Sequence, residues 1–241
     1  MAGASPFSYV EGLSPFLNVY CEPPPFLDED VRKAFEPLAF FGSLAPDQRE
    51  ASSFDRPFRR DRAKLRILVS FGTVIWRYFE APARAALSAL SQVFADLDAE
   101  VVISLGNHRL DDSERARLVR PNVSIESYVD QWAALKDADV FVTHHGLNST
   151  HEAIFHQVPM LSYPFFADQP ALARRCQKLG LALPLAAAPQ APVERDALLR
   201  ALNRLADERD AFAASLAEAR SWELAVMDGR SAVLDRVLAL R

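Results

Sequence analysis

Residues 139–169 constrain the fold more than any other stretch, because they set a single glycine between a strand and a helix. The run Val140–Thr143 is β-branched and aromatic and is too short for a helix, so it predicts a buried strand. Gly146 breaks this run, and a helix follows that must end before Pro159. The candidate N-cap residues of that helix are adjacent and polar: Asn148, Ser149 and Thr150. A strand, a glycine turn and a helix in this order place free N–H groups and a positive helix dipole where parallel sheets bind phosphate.

A second loop is predicted at the same edge of the sheet. Residues 160–163 form the next predicted strand, which ends in a loop over residues 164–169. Because the carboxyl ends of parallel strands meet at one edge, the two loops should face one crevice.

The rest of the chain alternates between strand and helix patterns. Further strands are predicted over residues 65–70, 100–105, 122–126 and 181–185, and helices over 82–97, 132–137 and 170–179. This alternation predicts an α/β fold with a doubly wound, Rossmann-like parallel sheet. Residues 193–241 are predicted to be helical with a break near Asp228 and Gly229. Residues 1–60 contain one predicted strand, over 17–21, which cannot bury itself.

Composition narrows the class of protein. The chain has 241 residues, 50% of them hydrophobic, and a net charge of −5 without a basic stripe, which argues against nucleic acid as the main partner. Cys21 and Cys176 lie far apart, so neither a disulfide framework nor a zinc site is indicated, and a reducing cytosol fits. No signal peptide and no integral membrane segment is recognisable, and the predicted localisation is cytoplasmic.

A set of motif residues resembles the nucleotide-sugar signature of family 1 glycosyltransferases, the group of UDP-glycosyltransferases and macrolide glycosyltransferases. The matching residues are the run 143–150 (THHGLNST), Glu152, Val158-Pro159 and Asp168-Gln169, and Gln169 lies 25 positions after His144. Upstream, Tyr128 stands where that family usually has tryptophan, and Asp130 stands in place of proline. The resemblance implies the donor-binding, C-terminal half of a two-domain (GT-B) glycosyltransferase, with an aromatic ring at Tyr128 for uracil or thymine.

The resemblance assigns roles to individual residues. Those implied to bind the donor nucleotide are Gly72, Thr73, Tyr128, Gln131, His144, Gly146, Asn148, Ser149 and Glu152, and those implied to bind the donor sugar are Asp168 and Gln169. His144 would bind the diphosphate and stabilise the leaving group, and Glu152 would accept hydrogen bonds from the ribose hydroxyls. Simpler readings stay open: a packed histidine, a capping box from Ser149 to Glu152, and ordinary turn chemistry at residues 168 and 169.

No metal and no cofactor is predicted, and the nucleotide sugar is a substrate. His151 and His156 lie about 140° apart around a helix, so they cannot share one zinc ion. Inverting transfer needs a general base, and in the resembled family that base is a histidine near the start of the acceptor domain. All five histidines here lie between residues 108 and 156, on the donor side, so no catalytic residue is assigned in this chain.

The leading hypothesis is a hexosyltransferase of the UDP-glycosyltransferase type that is incomplete without a separate N-terminal, acceptor-binding subunit. Residues 1–60 would be the end of the acceptor domain plus the linker, and residues 61–241 the donor-binding domain. The alternative is a non-catalytic, truncated module that binds a nucleotide sugar or a partner. A third reading, a nucleotide-sugar epimerase of the same architecture, would require acid and base residues in a second domain.

Overall fold

A computed structural model describes residues 13–43, 57–59 and 65–240. The described chain divides into two compact units, the first from residues 13–43 and 221–240 and the second from residues 57–59 and 65–220. The predicted domain boundary between residues 60 and 61 lies outside the described residues.

The elements follow the chain in the predicted alternation. The strands are β1 (Asn18–Tyr20), β2 (Leu38–Phe40), β3 (Arg66–Ser70), β4 (Glu100–Ser104), β5 (Val123–Glu126), β6 (Val140–Thr143), β7 (Met160–Ser162) and β8 (Ala182–Pro184). The α-helices are α1 (Glu29–Ala34), α2 (Ile75–Tyr78), α3 (Glu80–Phe94), α4 (Asp112–Leu118), α5 (Gln131–Leu135), α6 (Leu147–Phe155), α7 (Gln169–Lys178), α8 (Arg195–Asp207), α9 (Arg209–Asp228) and α10 (Arg230–Leu238). One 3-10 turn, Pro24–Phe26, precedes α1.

The second unit contains a six-stranded sheet in the order β5-β4-β3-β6-β7-β8, with every pair parallel. Its central strands are apolar runs whose side chains are buried on both faces, as in Ile67, Val102 and Phe141. The chain starts at β3, adds strands on one side, and then crosses to add strands on the other. The predicted doubly wound parallel sheet is therefore confirmed, and its switch point lies between β3 and β6.

The start of α6 differs from the prediction. Gly146 is the N-cap, with an extended backbone (φ −64°, ψ 145°), and the Thr150 N–H donates to the Gly146 carbonyl at 3.0 Å. Asn148, Ser149 and Thr150 are therefore inside the helix, and the prediction that one of them caps it is wrong. The glycine in the turn already has the backbone geometry that an N-cap requires, so the helix begins at once.

Four helices and strands escaped the sequence analysis: α1, α2, α4 and β2. Helix α4 was not predicted, although Asp111 and Glu114 form a complete capping box at its start. Strand β2 pairs in parallel with β1, so the expectation of a single strand in residues 1–60 is wrong. The three residues of β2 lie between Pro37 and Gly42, which masked the strand pattern.

The first unit is built around this two-stranded sheet and the C-terminal helix. Arg236 Nη1 donates to the Leu38 carbonyl at 3.1 Å, and Arg230 Nε donates to the Phe41 carbonyl at 2.7 Å. The unit contains a largely apolar groove of about 550 Å³, lined by residues that include Pro24, Leu38, Phe40, Trp222, Val226 and Val233.

Among the described residues, none of the helices combines the length and the apolar character needed to cross a membrane.

Candidate functional site

The carboxyl edge of the large sheet is formed by loops that touch through glycines. Gly106, after β4, has φ +56°, and a Cβ placed there would overlap the carbonyl group of Gly72, after β3. The two loops are therefore in direct backbone contact, which only a residue without a side chain permits at Gly106. Gly106 was not among the predicted site residues.

His144 lies between two of the predicted glycines. A Cβ at Gly72 would lie 2.8 Å from His144 Nε2, and a Cβ at Gly146 would lie 2.5 Å from the same atom. The structure thus brings together three residues that the sequence motif assigned to one site. A methyl group added at either glycine would have to displace the imidazole.

The imidazole of His144 is neutral at physiological pH. Its side chain is buried, and this burial lowers the pKa of His144 to about 4, an effect that a contact with the Ser70 backbone opposes. Nδ1 is buried and has no hydrogen-bond partner among the described residues. A neutral imidazole can donate one hydrogen bond, for example to a phosphate oxygen, from the nitrogen that carries its proton, but it brings no charge.

The positive electrostatic contribution comes instead from the start of α6. The N–H groups of Leu147, Asn148 and Ser149 have no intrahelical acceptors, because they belong to the first turn of the helix. Asn148 is exposed, so its amide side chain is accessible beside them. Neighbouring N–H groups and a helix dipole suit a diphosphate.

Gln131, Ser149 and Glu152 form one polar cluster. Gln131 Nε2 donates to Glu152 Oε2 at 2.7 Å and lies 3.2 Å from Ser149 Oγ. Glu152 is the sixth residue of α6, too far along the helix to cap it, so the capping-box reading of Glu152 is wrong. Asp130 caps α5 by accepting the Ala133 N–H, which holds Gln131 at the start of that helix.

Thr73 and Tyr128 are the exposed members of the predicted nucleotide site. Thr73 is exposed in the loop after β3. Tyr128 lies between β5 and α5 with half of its surface exposed, and such a ring face can stack on a planar base.

One of the predicted sugar-binding residues, Gln169, stabilises the loop between β7 and α7. Gln169 is buried, and its Oε1 accepts the N–H groups of Phe165 at 2.9 Å and Phe166 at 3.3 Å. Asp168 is exposed at the N-cap of α7, where its side chain makes no capping bond. The Gln169 oxygen is thus committed to the loop, and turn chemistry accounts for part of this motif.

Aromatic rings hold the same loop against the loop after β3. The Phe71 and Phe165 rings are 5.2 Å apart, and the Phe79 and Phe166 rings are 5.0 Å apart. These ring contacts join the loop after β7 to the segment after β3, and the predicted convergence of the loop after β7 with the turn at Gly146 stays a prediction.

The remaining histidines are packed into the protein. His151 is fully buried, His156 lies edge-on to Trp132 at 4.3 Å, and the His108 ring stacks on Trp76 at 4.6 Å. Within the described part of the chain, no group of three or more His, Cys, Asp or Glu side chains is placed to hold a metal ion.

The fold, a parallel sheet with flanking helices, matches that of GT-B glycosyltransferase structures. Structures with this fold include the glycosyltransferase of kitacinnamycin, with a TM-score of 0.75, 30% identity, and coverage of 92% of this chain and 55% of that one. The calicheamicin glycosyltransferase CalG4 has a TM-score of 0.71 at 22% identity and covers 98% of this chain and 57% of that one.

The family itself follows from the sequence match. Residues 88–225 match the model of the erythromycin biosynthesis protein CIII-like, C-terminal domain, and the chain belongs to this family of glycosyltransferase domains. The predicted membership among family 1 glycosyltransferases is confirmed. YojK of Bacillus subtilis, described as an uncharacterized UDP-glucosyltransferase, is 32% identical over 158 residues, which are 61% of this chain and 36% of that protein. The chain thus spans between about a third and somewhat over half the length of these proteins.

Proposed function

We propose that this chain binds the nucleotide diphosphate of a sugar donor, with UDP as the nucleotide, for inverting transfer of a hexose to an acceptor hydroxyl. The proposal rests mainly on the position of the His144 side chain. Its ring packs closely against Gly72 and Gly146, beside the first turn of α6. The name of YojK, a UDP-glucosyltransferase, supports UDP over other nucleotides.

Each part of the donor has a partner in this proposal. The diphosphate lies against the N–H groups at the start of α6, with His144 donating a hydrogen bond to a phosphate oxygen. Glu152, oriented by Gln131, accepts the ribose hydroxyls, and the Tyr128 ring covers the base. Asp168 and the amide nitrogen of Gln169 contact the sugar, and no resident metal takes part.

We further propose that the acceptor site and the general base belong to a separate N-terminal half. Burial lowers the pKa of His144 to about 4 and that of His145 to about 3, so both rings are neutral but only weakly basic, and both are enclosed. Of the other three, His151 is fully buried, and His108 and His156 are packed against Trp76 and Trp132.

Three features of the first unit support the proposal of a separate N-terminal half. A two-stranded sheet is marginal by itself, and parallel strands are normally covered on both faces. The unit also carries an apolar groove and exposes Phe16 (71%) and Leu234 (51%). Phe26, by contrast, is buried within the unit.

Titration calorimetry tests the donor site. The chain should bind UDP, His144→Ala should weaken both UDP and inorganic pyrophosphate about tenfold, and Glu152→Gln should weaken UDP but leave pyrophosphate unchanged. Glu208→Gln, in the exposed Glu208–Arg204 pair, is the matched control and should change neither. Absence of UDP and TDP binding at millimolar ligand contradicts the proposal.

A second candidate is a binding module without transferase activity. The burial of His144, His145 and His151 favours this candidate for the chain alone. Mixing the chain with an N-terminal glycosyltransferase half decides between the two. Restored sugar transfer identifies a split enzyme, whereas nucleotide-sugar binding without transfer identifies a module.

A further inference from the structure

His145 occupies an unusual position between two site residues, His144 and Gly146. Its side chain is completely buried, and its backbone has φ +60°, a left-handed conformation that is uncommon for residues other than glycine. Both ring nitrogens are engaged: Nδ1 lies 3.1 Å from Thr150 Oγ1, and Nε2 lies 2.7 Å from Ser162 Oγ.

The direction of these hydrogen bonds can be worked out from the Thr150 hydroxyl. Thr150 Oγ1 donates to the Gly146 carbonyl at 3.2 Å. A hydroxyl has one hydrogen, so Thr150 must accept from His145, and Nδ1 therefore carries the ring proton. Nε2 is then an acceptor for the Ser162 hydroxyl. Protons thus point in one direction from Ser162 through His145 and Thr150 to Gly146.

A neutral ring is required for this arrangement, and the surroundings enforce it. Burial, together with the nearby His144 and His151, lowers the pKa of His145 to about 3. A charged imidazole would have two N–H groups, so the Ser162 hydroxyl would have to accept a hydrogen bond from Nε2 instead of donating one.

The chain of hydrogen bonds connects the end of β7 to the turn after β6. Ser162 belongs to β7, and Gly146 is the N-cap of α6. A left-handed residue costs about 1–2 kcal/mol, and the two ring hydrogen bonds hold His145 in that conformation. The orientations of His144 on one side and of the first turn of α6 on the other both depend on it.

We propose that His145 is a positioning residue, a neutral histidine with its proton on Nδ1 that fixes the diphosphate-binding turn without touching the donor. The proposal rests on the proposed function, since it assigns His145 a role in donor binding. If His145 served packing alone, the volume of its neighbours would matter, and their hydroxyl groups would not.

Two substitutions at Thr150 separate these roles. Thr150→Ser keeps the hydroxyl and loses a methyl group, whereas Thr150→Val keeps the volume and loses the hydroxyl. We expect Thr150→Ser to bind UDP and pyrophosphate within about twofold of the wild type and Thr150→Val to bind both about tenfold more weakly. A packing role predicts the reverse order.

Serine substitutions provide the matched control. Ser162→Ala removes the donor to Nε2 and should weaken UDP binding about fivefold or more. Ser91→Ala removes a comparably buried hydroxyl that donates to the Leu118 carbonyl in another part of the unit, and it should leave UDP binding unchanged. Urea unfolding of each variant gives its stability separately from its affinity.

Nitrogen NMR of the wild-type ring gives a readout independent of the nucleotide. At pH 7 His145 should show a protonated Nδ1 and an unprotonated Nε2, and the opposite tautomer overturns the proposal. If the wild type binds UDP and Thr150→Val binds it as tightly as Thr150→Ser, only the role of His145 is overturned. If the wild type binds no UDP, the proposed function fails, and the role of His145 fails with it.

Discussion

At the scale of single residues, the loops at the sheet edge are tight enough that one methyl group would change the site. Gly72 and Gly146 face the His144 ring, and Gly106 faces the Gly72 backbone. A clash with a side-chain tip can relax, but a clash with a backbone carbonyl moves the loop that carries it.

Gly106→Ala should therefore weaken UDP binding about tenfold or more, because the displaced Gly72 loop also bounds His144. Titration calorimetry measures the affinity, and urea unfolding measures the stability.

Gly180→Ala is the control for the backbone strain. Gly180 also has a positive φ (+71°), but its added Cβ would meet only the Ser215 hydroxyl, at 2.8 Å. Both variants should lose about 1–2 kcal/mol of stability to the left-handed conformation, while Gly180→Ala keeps its UDP affinity. Equal affinities for the two variants would show that Gly106 does not support the site.

At the scale of elements, the loop between β7 and α7 shows how one side chain can shape a loop and still face a ligand. The Gln169 oxygen accepts two backbone N–H groups, which leaves only its amide nitrogen for a sugar hydroxyl.

Gln169→Glu and Gln169→Ala distinguish these two uses. Glutamate keeps an acceptor for the Phe165 and Phe166 N–H groups and loses the donor, so its stability should stay close to the wild type. Alanine leaves two N–H groups without their acceptor and should cost about 1–3 kcal/mol.

The affinity ratio between UDP-glucose and UDP then reports on the sugar contact. Gln169→Glu should lower this ratio severalfold if the amide nitrogen binds the sugar. An unchanged ratio in calorimetry, with wild-type stability, would limit Gln169 to shaping the loop.

At the scale of the whole molecule, the buried histidines link stability to pH. The folded pKa values of His144 and His145, about 4 and about 3, lie below the value of about 6.5 for an unfolded histidine. Between these values the unfolded chain binds more protons than the folded one. The free energy of unfolding is therefore full above about pH 6.5 and falls as the pH drops toward 4.

Each such histidine contributes a slope of up to about 1.4 kcal/mol per pH unit in this window. Burial also lowers the pKa of the half-buried His156 to about 4, so it adds to the effect. Urea unfolding should show a stability lower by about 2–5 kcal/mol at pH 5 than at pH 7.5. His144→Gln should reduce this difference by about a third to a half, and a wild-type stability that is flat across the range would contradict the burial of His144 and His145.

Most of the large sheet could be predicted from the sequence, because strand and helix patterns are local. The order of these patterns also indicates which loops lie at the carboxyl edge of the sheet. Val140–Thr143 and Gly146 alone placed His144 at the carboxyl end of a central strand. Short elements were not predicted. A strand of three residues, such as β2, has too few side chains to show an alternating pattern.

Contacts between separate elements were decided only in three dimensions. The resemblance assigned Gln131 and Glu152 to the same nucleotide site, but their 2.7 Å hydrogen bond depends on how α5 packs beside α6. The same holds for the contact of Gly106 with Gly72 and for the proton on His145, because a sequence records the order of groups along a chain and not their distances. The amino-acid sequence by itself therefore determined the type of fold and which residues reach the sheet edge. Only the tertiary structure determined which of those residues support each other, since hydrogen bonds and close backbone contacts depend on ångström-scale packing between segments far apart in the chain.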